Sequence, residues 1–143
     1  MNELQDRINA SRTTLFKVIF PNTTNHYHTL FGGKAMELMD EVAFIAATRF
    51  SRKKMVTVSW SKIDFKEAIP ADTIVEVVAE VGEIGTTSMK VNVNIYKEEM
   101  YVSDSRRKAI SGTLTFVAVD ENNEPTPIIW EKLDGSTMKV SKF

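Results

Sequence analysis

Phe31-Gly32-Gly33-Lys34-Ala35-Met36-Glu37-Leu38-Met39-Asp40-Glu41-Val42-Ala43-Phe44-Ile45-Ala46-Ala47-Thr48-Arg49-Phe50 is the stretch on which the fold turns. Ala, Leu, Met, Glu and Lys dominate it, all strong helix formers. No Pro interrupts it, so it reads as one long helix. At about 100° per residue, Leu38, Val42, Ile45 and Ala46 form a core stripe, with Ala35 and Met39 beside them. Glu37, Glu41 and Thr48 make the solvated face. Asp40 belongs to neither group and projects on a flank with Met36, Ala43 and Ala47, next to Phe44.

A carboxylate among methyl groups and a thioether loses hydration, which makes Asp40 a candidate general base. The bland alternative is a flank residue that reaches water or pairs with a lysine. The paired glycines favour the chemical reading. They let another group approach the backbone closely, and a helix N-terminus presents unpaired N–H donors at a positive dipole end. Asp40 stands about two turns further on, roughly 10 Å from Gly33 at 1.5 Å per residue. A carbonyl held at the glycines therefore has its reacting carbon near a water held by Asp40. That pairing suggests acyl transfer to water.

Upstream, residues 1–12 are polar and read as a short helix or a loose arm. Thr13–Phe20 has strand composition, and Pro21 stops it. The loop Asn22–Leu30 carries both histidines, His26 and His28. They read as loop residues or as lining for the mouth of a site at the helix start. No third ligand near them supports a metal. Downstream, Met55–Ser61 alternates apolar with Ser and Thr. The apolar phase then slips to Ile63 and Phe65, which suggests a bulge near Ser61-Lys62. Val75–Val81, Met89–Tyr96 and Ala109–Val119 also alternate, with turns at Ile69–Asp72 and Gly82–Gly85. A charged link spans Lys97–Lys108. The tail Ile128–Phe143 holds one apolar cluster, Ile128-Ile129-Trp130, and is expected to pack as a short turn or helix and then fray.

A strand, one long helix and four strands joined largely by hairpins imply an α+β domain, an antiparallel sheet wrapped on the helix. One domain over 1–143 is expected, with a core of about 10–125 and a tail of 126–143. Open sheet edges imply at least a dimer. The chain has no cysteine, which excludes disulfides, thiolate nucleophiles and Cys–metal sites. Its net charge of −1 gives no general attraction to nucleic acid or an anionic membrane. No apolar run approaches the ~20 residues a spanning helix needs. Met1–Arg7 lacks an apolar h-region, so a cytoplasmic location is expected.

The Asn-bearing loop, Phe31-Gly32-Gly33, Met39-Asp40 in the helix, the hairpin Gly85-Thr86-Thr87-Ser88 and the strand end Phe116-Val117-Ala118-Val119-Asp120 together resemble the hotdog-fold acyl-CoA thioesterases. The nearest branch is the cytosolic acyl-CoA hydrolase group that includes the YciA-like enzymes. The likeness covers roughly residues 10–125. It implies the hotdog fold and hydrolysis of acyl-CoA to a free fatty acid and coenzyme A. It also implies a homodimer with its site between protomers, often assembled into a trimer of dimers (a hexamer). By resemblance, Asp40 is the general base or nucleophile, the Gly33 amide beside Gly32 polarises the thioester carbonyl, and Asn25 places water or substrate. Gly85, Thr86, Thr87 and Ser88 contact the pantetheine and nucleotide end of coenzyme A. No metal or other cofactor is implied, because coenzyme A enters only within substrate and product.

Two departures stand out. Tyr27 and His28 occupy positions where family members often carry Asn and Gly. Arg106, Arg107 and Lys108 lie in a link less typical of the family, and they read either as a solvated turn or as partners for the coenzyme A phosphates. Two other functions remain at this stage. One is a hotdog dehydratase or hydratase using His26 or His28. The other is a non-catalytic acyl-CoA-binding oligomer in which Asp40 is an ordinary flank residue.

Overall fold

The computed structural model describes residues 2–132 and 134–139. Helix α1 (Glu3–Ser11) leads into β1 (Thr13–Ile19), a short 3-10 turn (Pro21–Thr23) and the long helix α2 (Gly32–Ser51). Strands β2 (Lys54–Phe65), β3 (Thr73–Ile84), β4 (Ser88–Glu99) and β5 (Arg107–Val119) follow, then the short strands β6 (Ile129–Glu131) and β7 (Thr137–Lys139). The main sheet is antiparallel in the order β1-β3-β4-β5-β2. This is the hotdog arrangement, with α2 laid over the sheet.

The core lies between α2 and the three central strands. Val77 and Ile95, Ala79 and Val93, and Val81 and Val91 sit side by side on neighbouring strands, and Leu114 and Phe116 continue the rows onto β5. All are buried. The helix meets them through Ala35, Met39, Val42, Ala43, Ala46, Ala47 and Phe50. This corrects the stripe read from the sequence. Ile45 is 38% exposed and Leu38 only half-buried, while Ala43 and Ala47 are fully buried. The four alanines let the helix backbone settle close to the sheet, so the buried face is the small-residue face and Phe44 and Ile45 are turned outward. Gly112 serves the same close approach, since a Cβ there would stand 3.1 Å from the Met39 methyl.

Three further expectations change. β2 does not form a hairpin with β3; it pairs with β5 at the far edge. The link between β2 and β3 crosses the end of the sheet, held where Lys66 and Glu67 N–H donate to the Ala109 carbonyl and Leu30 N–H donates to the Ile69 carbonyl. Gly82 lies inside β3, where a Cβ would stand 2.9 Å from the Asn92 Nδ2, and the reversal comes at residues 85–87. The apolar cluster of the tail forms a hairpin, β6 on β7, instead of a turn or helix. It is drawn out in extended form because Ile128 N–H donates to the Thr86 carbonyl while Ile128 and Trp130 side chains enter the core. Residues 140–143 of that tail lie outside the described residues. The expected bulge is present: the β2 register shifts between Ser61 and Asp64, and Lys62 adopts φ 53°. Residues 3–11 are helical, with Asn2 capping α1 by accepting from Gln5 N–H at 2.7 Å. No described helix is long and apolar enough to cross a membrane.

Two measurements test this packing. Phe50 is fully buried against Trp130, so Phe50→Ala should cost about 3–5 kcal/mol in urea unfolding. Glu67 sits 3.1 Å from Lys97 and 3.0 Å from Arg107; the Lys97 hydrogen bond, then Arg107, hold its carboxyl below the usual glutamate range. A depressed carboxylate contributes stability above its unfolded pKa and loses it as pH falls through the folded one. Glu67→Gln should therefore be less stable than wild type near neutrality, with the deficit shrinking as pH drops below about 4.

Candidate active site

The start of α2 has no side-chain cap. Phe31 occupies the N-cap in extended conformation, and the first amides of the helix have no intrahelical partner. A Cβ added at Gly32 would meet nothing within 4 Å, and one at Gly33 would meet only the edge of the Phe31 ring at 3.4 Å. Neither glycine has the positive φ that would demand it. Neither packing nor backbone therefore requires Gly32. A space kept clear beside unpaired N–H donors is what an incoming oxygen atom needs. Gly33 also lines a cavity of 390 Å³ with Thr23, Thr24, Phe31 and Lys34.

Asp40 is half-buried on α2. Its Oδ1 accepts a hydrogen bond from Thr57 Oγ1 at 2.9 Å. Thr57 lies on the edge strand β2, next to a second register shift between Thr57 and Ser59. The hydroxyl fixes one carboxylate oxygen and leaves the other without a partner among the described residues. Seven residues separate Gly33 from Asp40, so they share one face of the helix, about 10 Å apart along its axis. A hydrogen bond to a carbonyl oxygen, the carbonyl itself, an approaching water and that water's bond to a carboxylate end to end span a similar distance. Thr57 was missed in the sequence because it looked like any polar residue on an alternating strand, and nothing local links it to Asp40.

Asn25 uses its Oδ1 to shape its own loop, accepting from Tyr27 N–H at 2.9 Å, Thr29 N–H at 3.3 Å and Thr29 Oγ1 at 3.2 Å. Its Nδ2 is uncommitted among the described residues. The loop is anchored where Ala71 N–H donates to the His28 carbonyl. His28 takes φ 63°, a left-handed backbone that favours glycine. His26 and His28 are exposed. Among the described residues no group of three His, Cys, Asp or Glu could hold a metal.

The coenzyme A candidates fall at opposite ends of the sheet. Gly85, Thr86, Thr87 and Ser88 line a cavity of 380 Å³ with Glu83, Met89 and Lys90, at the end where α2 finishes. Arg106, Arg107 and Lys108 sit at the end where α2 begins, a β4 length away, roughly 35 Å. Arg106 grips Glu76 at 2.7 Å and lies over the Tyr96 ring, and Arg107 pairs with Glu67. Both guanidiniums are thus engaged within the chain, and Lys108 has no ion pair among the described residues. One chain does not bring the two groups together.

The thioesterase superfamily model matches residues 27–103. The protein YkhA of Bacillus subtilis, named an uncharacterized acyl-CoA thioester hydrolase, is 40% identical over 110 residues; the match covers 77% of this chain and 63% of that protein. A Staphylococcus aureus acyl-CoA hydrolase solved with butyryl coenzyme A, coenzyme A and coenzyme A disulfide superposes with TM-score 0.80 at 35% identity, covering 85% of this chain and 73% of that one. Alanine variants of an asparagine, an aspartate and a threonine of that enzyme have been solved, at the same mutual spacing as Asn25, Asp40 and Thr57. An acyl-CoA thioesterase solved as an apo hexamer has TM-score 0.81 at 33% identity, covering 85% of this chain and 77% of that one.

If Gly32 is glycine to keep space clear, Gly32→Ala should leave thermal stability unchanged or raise it by up to about 1 kcal/mol, since alanine is the better helix former. A lowered melting temperature would show that the position has a packing role instead.

Proposed function

This chain belongs to the thioesterase superfamily, and from that premise we propose that it hydrolyses acyl-CoA thioesters to a carboxylic acid and coenzyme A. The observation that carries the reading is Asp40, fixed by Thr57 on the same helix face as the uncapped Gly32-Gly33 amides. The Gly33 N–H donates to the thioester carbonyl oxygen. Asp40 takes a proton from a water, and the water oxygen attacks the carbonyl carbon. The tetrahedral oxyanion is stabilised by the Gly33 amide, a donor typically worth about 3 kcal/mol. Its collapse breaks the C–S bond. The leaving thiolate takes up a proton, so acid and free thiol are released. Thr57 positions the base, and the Asn25 Nδ2 is available to the water or the substrate. A thioester is activated enough for these groups to suffice without a serine or cysteine nucleophile.

The substrate needs more than one chain. β2 is a twelve-residue edge strand with Val56 38% and Val58 55% exposed. It starts at the Gly85–Ser88 end of the sheet and finishes at the Gly33 end. Two copies pairing antiparallel along β2 would set one copy's Gly85–Ser88 turn beside the other's Gly33. Acyl and nucleotide ends of one coenzyme A ester would then be held by different protomers. That supports a homodimer as the smallest active unit; a hexameric thioesterase relative supports a trimer of dimers built from it, and cytosolic acyl-CoA hydrolase relatives support a cytoplasmic setting.

Release of free thiol from short to long acyl-CoAs tests the reading. At least one ester should be turned over, and Asp40→Asn should lower kcat by about a hundredfold or more. Thr57→Val keeps shape and removes the hydroxyl, so it should lower kcat about tenfold, ~1.4 kcal/mol, with little change in KM. Full activity in Asp40→Asn would remove the proposed base, and a double-bond product in place of free thiol would make the protein a hydratase.

A further inference from the structure

We propose that a second cavity, at the C-terminal end of α2, binds a phosphate-bearing anion. The cavity measures 480 Å³, within the range of small-molecule sites. Three cations line it: Arg7 from α1, and Arg52 and Lys53 from the end of α2. None makes an ion pair or a side-chain hydrogen bond among the described residues. Arg7 rests its guanidinium 5.9 Å from the centre of the Trp130 ring. Arg12, Arg106 and Arg107 are by contrast engaged by Glu80, Glu76 and Glu67. No carboxylate is among the described residues that line this space, although Lys53 also borders a neighbouring cavity lined by Asp120 and Glu121; like charges gathered this way favour an anion between them.

The dipole of α2 explains part of this, since cations are favoured at a helix C-terminus. It explains Arg52 and Lys53. It does not explain Arg7, which arrives from a different helix. A further observation bears on the same wall. Trp130 is 3% exposed and its indole N–H has no acceptor among the described residues. The ring is buried in the wall, so the surface on which the Arg7 guanidinium lies is fixed. Ser51, also in the wall, has its hydroxyl tied to the Ala47 carbonyl and the Lys53 N–H, so the wall is ordered where Lys53 leaves it. Planar guanidiniums and an ammonium together suit the oxygens of a phosphate or pyrophosphate group.

Such a group has two sources, the phosphates of the coenzyme A ester itself or a separate free phosphate. The probe is inorganic pyrophosphate, titrated calorimetrically into the whole protein. Wild type should bind it saturably. Arg52→Asn/Lys53→Gln, in which Asn tolerates the left-handed backbone at φ 53°, should weaken binding at least tenfold. Arg12→Gln/Lys66→Gln, which removes the same charge elsewhere, should not. Competition with free coenzyme A, and a raised KM with unchanged kcat in the first variant, assigns the site to the substrate's phosphates. Simultaneous binding of both assigns it to a separate anion. Absence of saturable binding by wild type, or an equal loss in the control variant, overturns the proposal. The titration does not involve turnover, so it stands or falls apart from the thioesterase reading.

Discussion

The structure depends on the close approach of α2 to β3, β4 and β5. Alanines at 35, 43, 46 and 47 and the bare Gly112 let the helix backbone settle on a sheet surface made of Val, Ile, Leu and Phe side chains. Dispersion and the hydrophobic effect both reward that fit, because interiors are packed as densely as crystals. A helix held this tightly cannot rotate or slide. Everything mounted on it therefore has a defined place, including the uncapped amides at its start and the carboxylate two turns along.

The chemistry uses what that arrangement leaves over. The helix gives its apolar face to the core, its outer face to solvent, and the flank between them to Asp40. Edge strand β2 closes beside that flank, so Thr57 can reach the carboxylate. The same strand exposes Val56 and Val58, which water does not favour. In the proposed reading, positioning of the base and the pressure to associate thus arise from one element, β2.

Much of this was legible in order along the chain. The unbroken run of helix formers, the double glycine and Asp40 placed two turns later are local facts, and the structure keeps them. The alternation of β3, β4 and β5 carried through, as did the phase slip at Ser61-Lys62, which reappears as a bulge with Lys62 at φ 53°. Periodicity failed on the helix, where apolar residues occupy nearly opposite sides. Ile45 looked like core and Ala43 like flank, and the sheet chose the smaller residue because it allowed the closer approach. It failed again at the tail, where one backbone bond from Ile128 to Thr86 drew an apolar cluster into a hairpin.

The amino-acid sequence by itself determined the elements, their amphipathic faces and the candidate pair of Gly33 and Asp40, because each rests on spacing within a single helix or strand. Only the tertiary structure decided which strand lies at which edge. That placement brought Thr57 to Asp40, put Gly85–Ser88 and Arg106–Lys108 at opposite ends of β4, and turned Arg7 toward Arg52 and Lys53. Such meetings join residues far apart in the chain. They follow from how the whole sheet closes on the helix, and no local pattern encodes that closure.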